Sequence, residues 1–289
     1  MKLPEHLAPD YRFLAIIGHP ITHSLSPLMH NSAFQALNLP YLYAMYDIGP
    51  EDLSKAAQDL KTLGFLGYNV TIPHKQAIIP HLDGVDENAK TIGAVNTVVI
   101  LNNKAIGYNT DVLGVVRVLA PFKGRFAGKP ALVLGAGGAA RAAVFALHTF
   151  FNVSDITIAA RSKEKASSMA GDFKIKNAKI VNFAQEEINS SVSRSSLIVN
   201  TTPIGMHPLV DASPLPDDAP LKSDDVVFDL IYRPLETKLL RHANKVGATI
   251  VGGLEVLIQQ GAAAFEMWTG KKMPVDVVRN VLKEKLTLE

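Results

Sequence analysis

Lys75 closes the stretch GYNVTIPHK, residues 67–75, and its setting raises the question of proton chemistry. Val70 and Ile72 read as strand residues, and Pro73 marks the end of the strand. A lysine there is either solubilising punctuation or a proton donor at the mouth of a site. Thr71 brings a hydroxyl to the same edge, while His74 has no evident chemical role. HSLSP holds Ser24 and Ser26, two apart, which in extended chain would face one side. Ser26 also precedes Pro27, a position that suits a helix N-cap. A helix start carrying two hydroxyls is a carboxylate site as well. Asn96 lies in GAVNT, where a polar residue on a sheet edge is the plain alternative. Asp111 in GYNTD precedes VLGVVRVLA, so a helix cap is its plain alternative.

A second chemical signature is LVLGAGGAAR, which sets Gly135, Gly137 and Ala140 in the G-x-G-x-x-(G/A) spacing. Gly135 would make the tight turn, Gly137 would let backbone approach a pyrophosphate, and Ala140 would permit close helix–strand packing. The free N–H groups of the helix start supply an anion site. Glycines alone fit a turn without a ligand, but placement between a strand and a helix favours dinucleotide binding. A site for NAD usually has an acidic residue about 20 positions past the glycines. Here the strand DITIAA ends in Ala160, Arg161 and Ser162, with Lys165 one turn on. A carboxylate would repel a 2′-phosphate, whereas arginine pairs with it bidentately. The expected cofactor is NADP(H).

These groups need elements to position them. FLAIIGHP (13–20) reads as a buried strand, PLMHNSAFQALN (27–38) as an amphipathic helix, and YLYAMYDI (41–48) as a second strand. PEDLSKAAQDLKTLG (50–64) reads as a helix ending at glycine, GYNVTI as a third strand, and AVNTVVI-NN-KAIGYN as a hairpin turning at Asn102–Asn103. This β-α-β-α-β order implies a mostly parallel sheet. PFKGRFAGKP (121–130), rich in Pro, Gly and basic residues, reads as a domain junction. Beyond the glycine turn, SLIVNTTP (196–203) and VVFDLIY (226–232) are further strands. The Pro-rich stretch from Gly205 to Pro220 reads as a surface loop, and IQQGAAAFEMWTG and DVVRNVLKEKL as helices.

A length of 289 residues suits roughly two domains. The chain is 47% apolar and 19% charged, with 29 basic against 27 acidic residues. That balance gives no general electrostatic reason to bind nucleic acid or an anionic membrane. The absence of cysteine excludes disulfides, thiolate metal sites and cysteine nucleophiles. His19 and His23 are four apart, but Pro20 and Thr22 between them read as loop, so no metal site is expected. MKLPEHLAPDYRF lacks the apolar core of a signal peptide, which makes a cytoplasmic protein the expectation. Residues 131–151 imitate a membrane span, yet Arg141, His148 and the glycine cluster argue against one.

Taken in order, GHPITHSLSP, NVTIPHK, GAVNT, GYNTD, GAGGAAR, ARSKEKA, NTTPIGM, DLIYRPLET and GGLEVLIQQGAAAFEMWTG resemble the shikimate dehydrogenase family over almost the whole chain. NVTIPHK with NTD is the specific part. The resemblance implies an α/β fold with an N-terminal, mostly parallel substrate domain (1–110 and 252–289), a Rossmann-type NADP-binding domain (111–251) and a cleft between them. It implies NADP-dependent interconversion of shikimate and 3-dehydroshikimate in aromatic amino-acid biosynthesis, with small-molecule partners only, by a monomer or homodimer. Carried over by motif, Lys75 and Asp111 would be the catalytic pair, and Ser24 and Ser26 would hold the substrate carboxylate. Thr71, Asn96 and Gln260 would bond the ring hydroxyls, with Tyr232 near the same pocket. The cofactor would meet Gly135, Ala136, Gly137, Gly138, Ala139, Ala160, Arg161, Ser162 and Lys165, then Asn200, Thr201 and Thr202, with Gly253 by the nicotinamide. The chain departs from the family wording at Ala160-Arg161-Ser162, where Asn-Arg-Thr is common, at NTTPIGM, and at Val256, where methionine is usual. Two other readings share the scaffold: a quinate/shikimate dehydrogenase with NAD preference, and a non-catalytic ligand-binding regulator. Arg161 argues against the first, and Lys75, Asp111 and Gln260 together argue against the second.

Overall fold

A computed structural model describes residues 11–288; most of the N-terminal stretch read for a signal peptide lies outside them. The chain divides into two compact units. One runs up to Thr110 and resumes at Gly261; the other spans Asp111–Gln260.

The first unit begins with β1 (Arg12–Gly18), α1 (Ser26–Ala36), β2 (Tyr41–Asp47), α2 (Leu53–Thr62) and β3 (Gly67–Val70). The short β4 (Gly84–Val85), α3 (Glu87–Ile92), β5 (Thr97–Leu101) and β6 (Lys104–Tyr108) complete its sheet. The strand order is β2-β1-β3-β5-β6-β4. Neighbours run parallel except at β3/β5 and β5/β6. The β5–β6 hairpin turns at Asn102 and Asn103, both at positive φ (50° and 58°), as a two-residue turn that follows strand twist requires. α2 buries Leu53, Ala57 and Leu60 along one stripe, the 3.6-residue period of a helix lying on a sheet.

The second unit starts with α4 (Asp111–Leu119) and α5 (Lys123–Phe126), then β7 (Ala131–Leu134), α6 (Gly138–Phe150), β8 (Ile156–Ala159) and α7 (Lys163–Asp172). It continues with β9 (Lys179–Val181), α8 (Gln185–Arg194), β10 (Leu197–Asn200), β11 (Val226–Asp229), α9 (Lys238–Lys245) and β12 (Thr249–Val251). α10 (Gly253–Thr269) and α11 (Val275–Thr287) follow, the division between the units falling within α10. All six strands of this sheet are parallel, in the order β12-β11-β10-β7-β8-β9. That order is the doubly wound dinucleotide-binding one, with its switch point between β7 and β10. β7, β8, β10 and β11 are buried at every residue, as their mostly apolar sequences require in a sheet covered on both faces.

Two local readings change and one holds. The stretch 121–130 is not an open junction: its first half is helical, and Phe126 is fully buried against Phe151, ring centroids 5.5 Å apart. The Pro-rich stretch after β10 is irregular, but Leu215, together with Ala219 beside it, drops into the hydrophobic core of the parallel sheet. The apolar stretch 131–151 resolves into β7 and α6, as its glycine cluster implied, and no helix among the described residues is long and apolar enough to cross a membrane.

Candidate active site

In the first unit the candidate residues Ser24, Ser26, Thr71 and Lys75 lie just beyond the carboxyl ends of β1 and β3. Ser26 is the first residue of α1 rather than its cap; Leu25 holds the cap position with helical φ/ψ. Ser24 lies in the preceding turn, its N donating to Ile21 O at 2.9 Å and its Oγ accepting from Ser26 N at 3.3 Å. The segment is turned, not extended, so the two hydroxyls are related by this turn and not by a strand repeat. Thr71 and Lys75 sit in the tight turn after β3. That turn is pinned by Thr71 N to Ile17 O (2.9 Å), His74 N to Thr71 O (2.8 Å) and Val95 N to Lys75 O (2.7 Å). His74 is buried, and its Nε2 meets Ile48 O at 2.7 Å. It is a tie between the turn and the strand end of β2.

Behind these groups runs a buried polar chain that links three strands. Tyr43 Oη, on β2, donates to Asn69 Oδ1 on β3 at 2.6 Å. Asn69 Nδ2 donates to Asn96 O and to Thr97 Oγ1, both at 3.0 Å. Thr97 Oγ1 and Thr110 Oγ1 are 3.0 Å apart. Asn96 Nδ2 donates to Thr110 Oγ1 at 3.0 Å, and Thr110 N donates to Asn96 Oδ1 at 2.7 Å. Asn96 is thus a buried, oriented amide and not an edge residue. Burial holds the Tyr43 phenol well above its ordinary pKa, against a smaller opposing effect of the Ser26 side chain. Tyr43 and Asn69 were not singled out from the sequence. The available signal was an asparagine in GYNV, a strand buried at all four positions, since a buried amide requires partners.

In the second unit, the turn after β7 shows why its glycines are there. Gly135 has φ +116°, and a Cβ on it would stand 2.5 Å from Thr201 Oγ1. Gly137 caps α6, and a Cβ there would meet nothing within 4 Å; its face is open. Ala140 is fully buried. Gly138 and Ala139 begin a 13-residue helix with no acidic residue in its first turn, so the positive end of its dipole is uncompensated. The open glycine, the free helix start and the basic strand end fit a dinucleotide with an extra phosphate. At the end of β8, Ala160 is buried and Arg161 and Lys165 are exposed. Ser162 caps α7, accepting from Lys165 N at 3.2 Å and donating to Glu164 at 2.8 Å. The backbone N–H of Glu164, together with Ser162, keeps that carboxyl below its ordinary pKa.

The end of β10 is organised by one amide. Asn200, fully buried, accepts on Oδ1 from Thr202 N (3.0 Å) and Thr202 Oγ1 (2.7 Å), and donates to Asp229 Oδ1 at 3.0 Å. Thr201 Oγ1 donates to Leu134 O at 2.6 Å, tying β10 to the glycine turn. Asp229 also accepts from Ile231 N (3.0 Å) and Thr237 Oγ1 (2.7 Å); burial raises its pKa to about 6 despite these bonds. Asp229 is a structural hub that the sequence did not reveal. Tyr232 follows three residues on, its phenol pushed up by burial against the opposing effect of Arg233. At Gly253, the start of α10, a Cβ would lie 2.1 Å from Leu230 O, so only glycine lets the helix begin there. Asp111 opens α4, and Gln260 on α10 is buried with Nε2 donating to Leu257 O at 2.8 Å.

Comparison with known proteins spans both units. Residues 16–98 match the shikimate dehydrogenase substrate-binding domain, 119–236 the shikimate/quinate 5-dehydrogenase domain, and 253–283 the shikimate 5′-dehydrogenase C-terminal domain. The NADP⁺ shikimate dehydrogenase of Symbiobacterium thermophilum is 45% identical over 93% of this chain and 92% of its own. A shikimate dehydrogenase solved in complex with NADP⁺ superposes with a TM-score of 0.88 at 42% identity, covering 96% of each chain. The Listeria monocytogenes shikimate 5-dehydrogenase, solved with shikimate and NAD, gives 0.87 at 33% identity over 97% of this chain and 99% of that one.

Proposed function

The chain belongs to the shikimate dehydrogenase family, and from that premise we propose that it reduces 3-dehydroshikimate to shikimate with NADPH. Lys75 is the acid/base and Asp111 its carboxylate partner. The observation that carries this reading is the 45% identity to an NADP⁺ shikimate dehydrogenase over nearly all of both chains, in a chain that holds Lys75 at the carboxyl edge of an open α/β sheet, where such folds bind ligands.

Reduction of a ring ketone requires a hydride on carbon and a proton on oxygen. NADPH, when bound, supplies the hydride. Lys75 holds a proton on Nζ, stabilises negative charge as it gathers on the oxygen, and delivers the proton there. Asp111 orients the ammonium and accepts from a neighbouring hydroxyl. Ser24 and Ser26, at the start of α1, bind the carboxylate; Thr71, Asn96 and Gln260 bond the ring hydroxyls, and Tyr232 borders them. Arg161 and Lys165 pair with the 2′-phosphate, which favours NADP(H) over NAD. Residues 1–110 and 252–289 serve the substrate and 111–251 the cofactor.

The test is a spectrophotometric assay of shikimate and quinate against NADP⁺ and NAD⁺, with Lys75→Ala alongside. The wild type should turn over shikimate with NADP⁺ best, and Lys75→Ala should lower kcat by roughly 10²–10⁴-fold, the usual worth of a positioned acid/base. A Lys75→Ala enzyme with raised KM and intact kcat would make Lys75 a binding residue. Preference for quinate and NAD⁺ would favour the quinate reading.

A further inference from the structure

Asp229, at the end of β11, is a fully buried carboxylate for which the proposed chemistry has no use. An ionised carboxylate carries no hydrogen and only accepts, so each neighbour must turn a donor toward it. Oδ1 accepts from Asn200 Nδ2 and Ile231 N, both at 3.0 Å, and Oδ2 accepts from the Thr237 hydroxyl at 2.7 Å. The Asn200 amide lies between this acceptor and a donor, because Thr202 N–H faces its other end at 3.0 Å. Only one amide orientation serves both neighbours: nitrogen toward Asp229, oxygen toward Thr202. The opposite flip would set oxygen against carboxylate and N–H against N–H. With the flip so fixed, Asn200 Oδ1 also accepts the Thr202 hydroxyl at 2.7 Å, and Nδ2 reaches Ile204 O at 3.4 Å. Thr202 Oγ1 in turn accepts from Ile204 N at 3.2 Å, which closes the 200–204 turn. The carboxylate that orients this turn also holds Ile231 N, and Ile231 O accepts from Gly253 N at 3.2 Å. One buried group thus anchors both the turn after β10 and the backbone on which α10 begins.

We propose that Asp229 is a positioning residue for the cofactor: through the Asn200 amide it holds the 200–204 turn in the shape that meets NADP(H). The inference rests on the reading of residues 200–202 as cofactor contacts. Being fully buried, Asp229 acts at one remove and touches neither cofactor nor substrate. Thr201, between the two bonded residues, ties the turn to Leu134 O at the end of β7 at 2.6 Å. A freed Asn200 would therefore loosen the turn on the side that adjoins the glycine turn. Thr237 supplies the comparison. It shares the carboxylate, but it belongs to α9, where it caps Leu240 N at 3.2 Å.

The experiment measures the NADP⁺ Kd by calorimetry, and the shikimate KM at saturating NADP⁺, for the wild type, Asp229→Asn, Asp229→Ala, Asn200→Ala, Asp229→Asn with Asn200→Ala, and Thr237→Val. The fitted stoichiometry reports the folded fraction, so a loss of folded protein does not imitate weak binding. Asp229→Asn keeps the shape and an acceptor but not the charge. It should raise the NADP⁺ Kd about 5-fold, the difference between a charge-assisted and a neutral hydrogen bond. Asp229→Ala, where it folds, should raise it further, and the shikimate KM should stay in place in both. Because Asp229 acts through the amide, the double variant should bind no more weakly than Asn200→Ala alone. Thr237→Val should melt lower and bind NADP⁺ as the wild type does. Wild-type affinity in Asp229→Asn, or a double variant weakened by the full product of its two changes, overturns the proposal. So does a shikimate KM that rises in step with the NADP⁺ Kd, or a Thr237→Val loss equal to that of Asp229→Asn, since either marks general loosening. If Asn200→Ala binds NADP⁺ normally, the reading of 200–202 has failed and the proposal with it. If only the Asp229 variants bind normally, that reading stands and the role of Asp229 falls.

Discussion

His30 shows how a single side chain can carry a pH dependence far from any proposed chemistry. It is fully buried, neither ring nitrogen has a hydrogen-bond partner, and it stacks on Tyr43 with Phe265 nearly parallel at 6.3 Å. Burial lowers its pKa from 6.5 to about 3. The unfolded chain takes up this proton near pH 6.5, whereas the folded protein refuses it until about pH 3. The unfolded state therefore binds more protons throughout that window, and stability falls as pH falls. At about pH 4.5 the expected cost is roughly 2–3 kcal/mol, because each whole pH step below 6.5 removes about 1.36 kcal/mol. Urea midpoints of the wild type and His30→Phe at pH 7 and 4.5 check this: the variant should lose less stability on acidification by about that amount. Equal losses would show that another group titrates. The sequence placed His30 on a helix but not on its buried stripe. Ser26, Met29, His30, Ala33 and Phe34 form that stripe, and two of its five members are polar, so hydropathy alone blurs it.

At the scale of elements, the glycine turn between β7 and α6 separates two requirements that one motif encodes. Gly135 answers a demand of the folded chain: φ +116° and a Cβ position 2.5 Å from Thr201 Oγ1 leave room for hydrogen only. Gly137 meets no such demand, because the space over it is open, and its glycine is read as the proposed cofactor's requirement. Gly135→Ala should therefore strain the backbone and disturb the Thr201–Leu134 bond, lowering stability by roughly 2–4 kcal/mol and weakening NADP⁺ binding. Gly137→Ala should melt as the wild type does and lose cofactor affinity alone. Thermal melts paired with NADP⁺ titrations decide it; equal melting temperatures for the two variants would contradict this division. The turn was legible in the sequence because each of its constraints is local. The helical character of 121–126 was not, because Phe126 is buried by Phe151, contributed from beyond β7 and α6. The short edge strand β9 was missed too, since three residues carry too little periodicity to stand out. The Ser24–Ser26 geometry was misjudged because a two-residue repeat is meaningful only in extended chain, and this segment turns.

For the whole molecule, two six-stranded sheets with separate cores and a nearly balanced charge leave binding to local sites rather than to a general field. The proposed division of labour then has a signature in backbone exchange. A ligand that binds only the native state stabilises it by RT ln(1 + [L]/Kd), about 2.7 kcal/mol at 100 times Kd. The gain appears first in those local openings that would break its site. NADP⁺ alone should slow amide hydrogen exchange at 135–140, 161–165 and 200–204, where the glycine turn, the basic strand end and the Asn200 turn lie. Shikimate alone should slow it at 24–30, 71–78 and 95–97, around the start of α1, the Lys75 turn and Asn96. Amides hydrogen-bonded deep in β7 or β1 exchange only through larger openings, and their protection should move less in either case. If NADP⁺ protected the Lys75 turn while leaving the glycine turn unchanged, or if shikimate protected only 135–204, the assignment of residues 111–251 to the cofactor would be wrong.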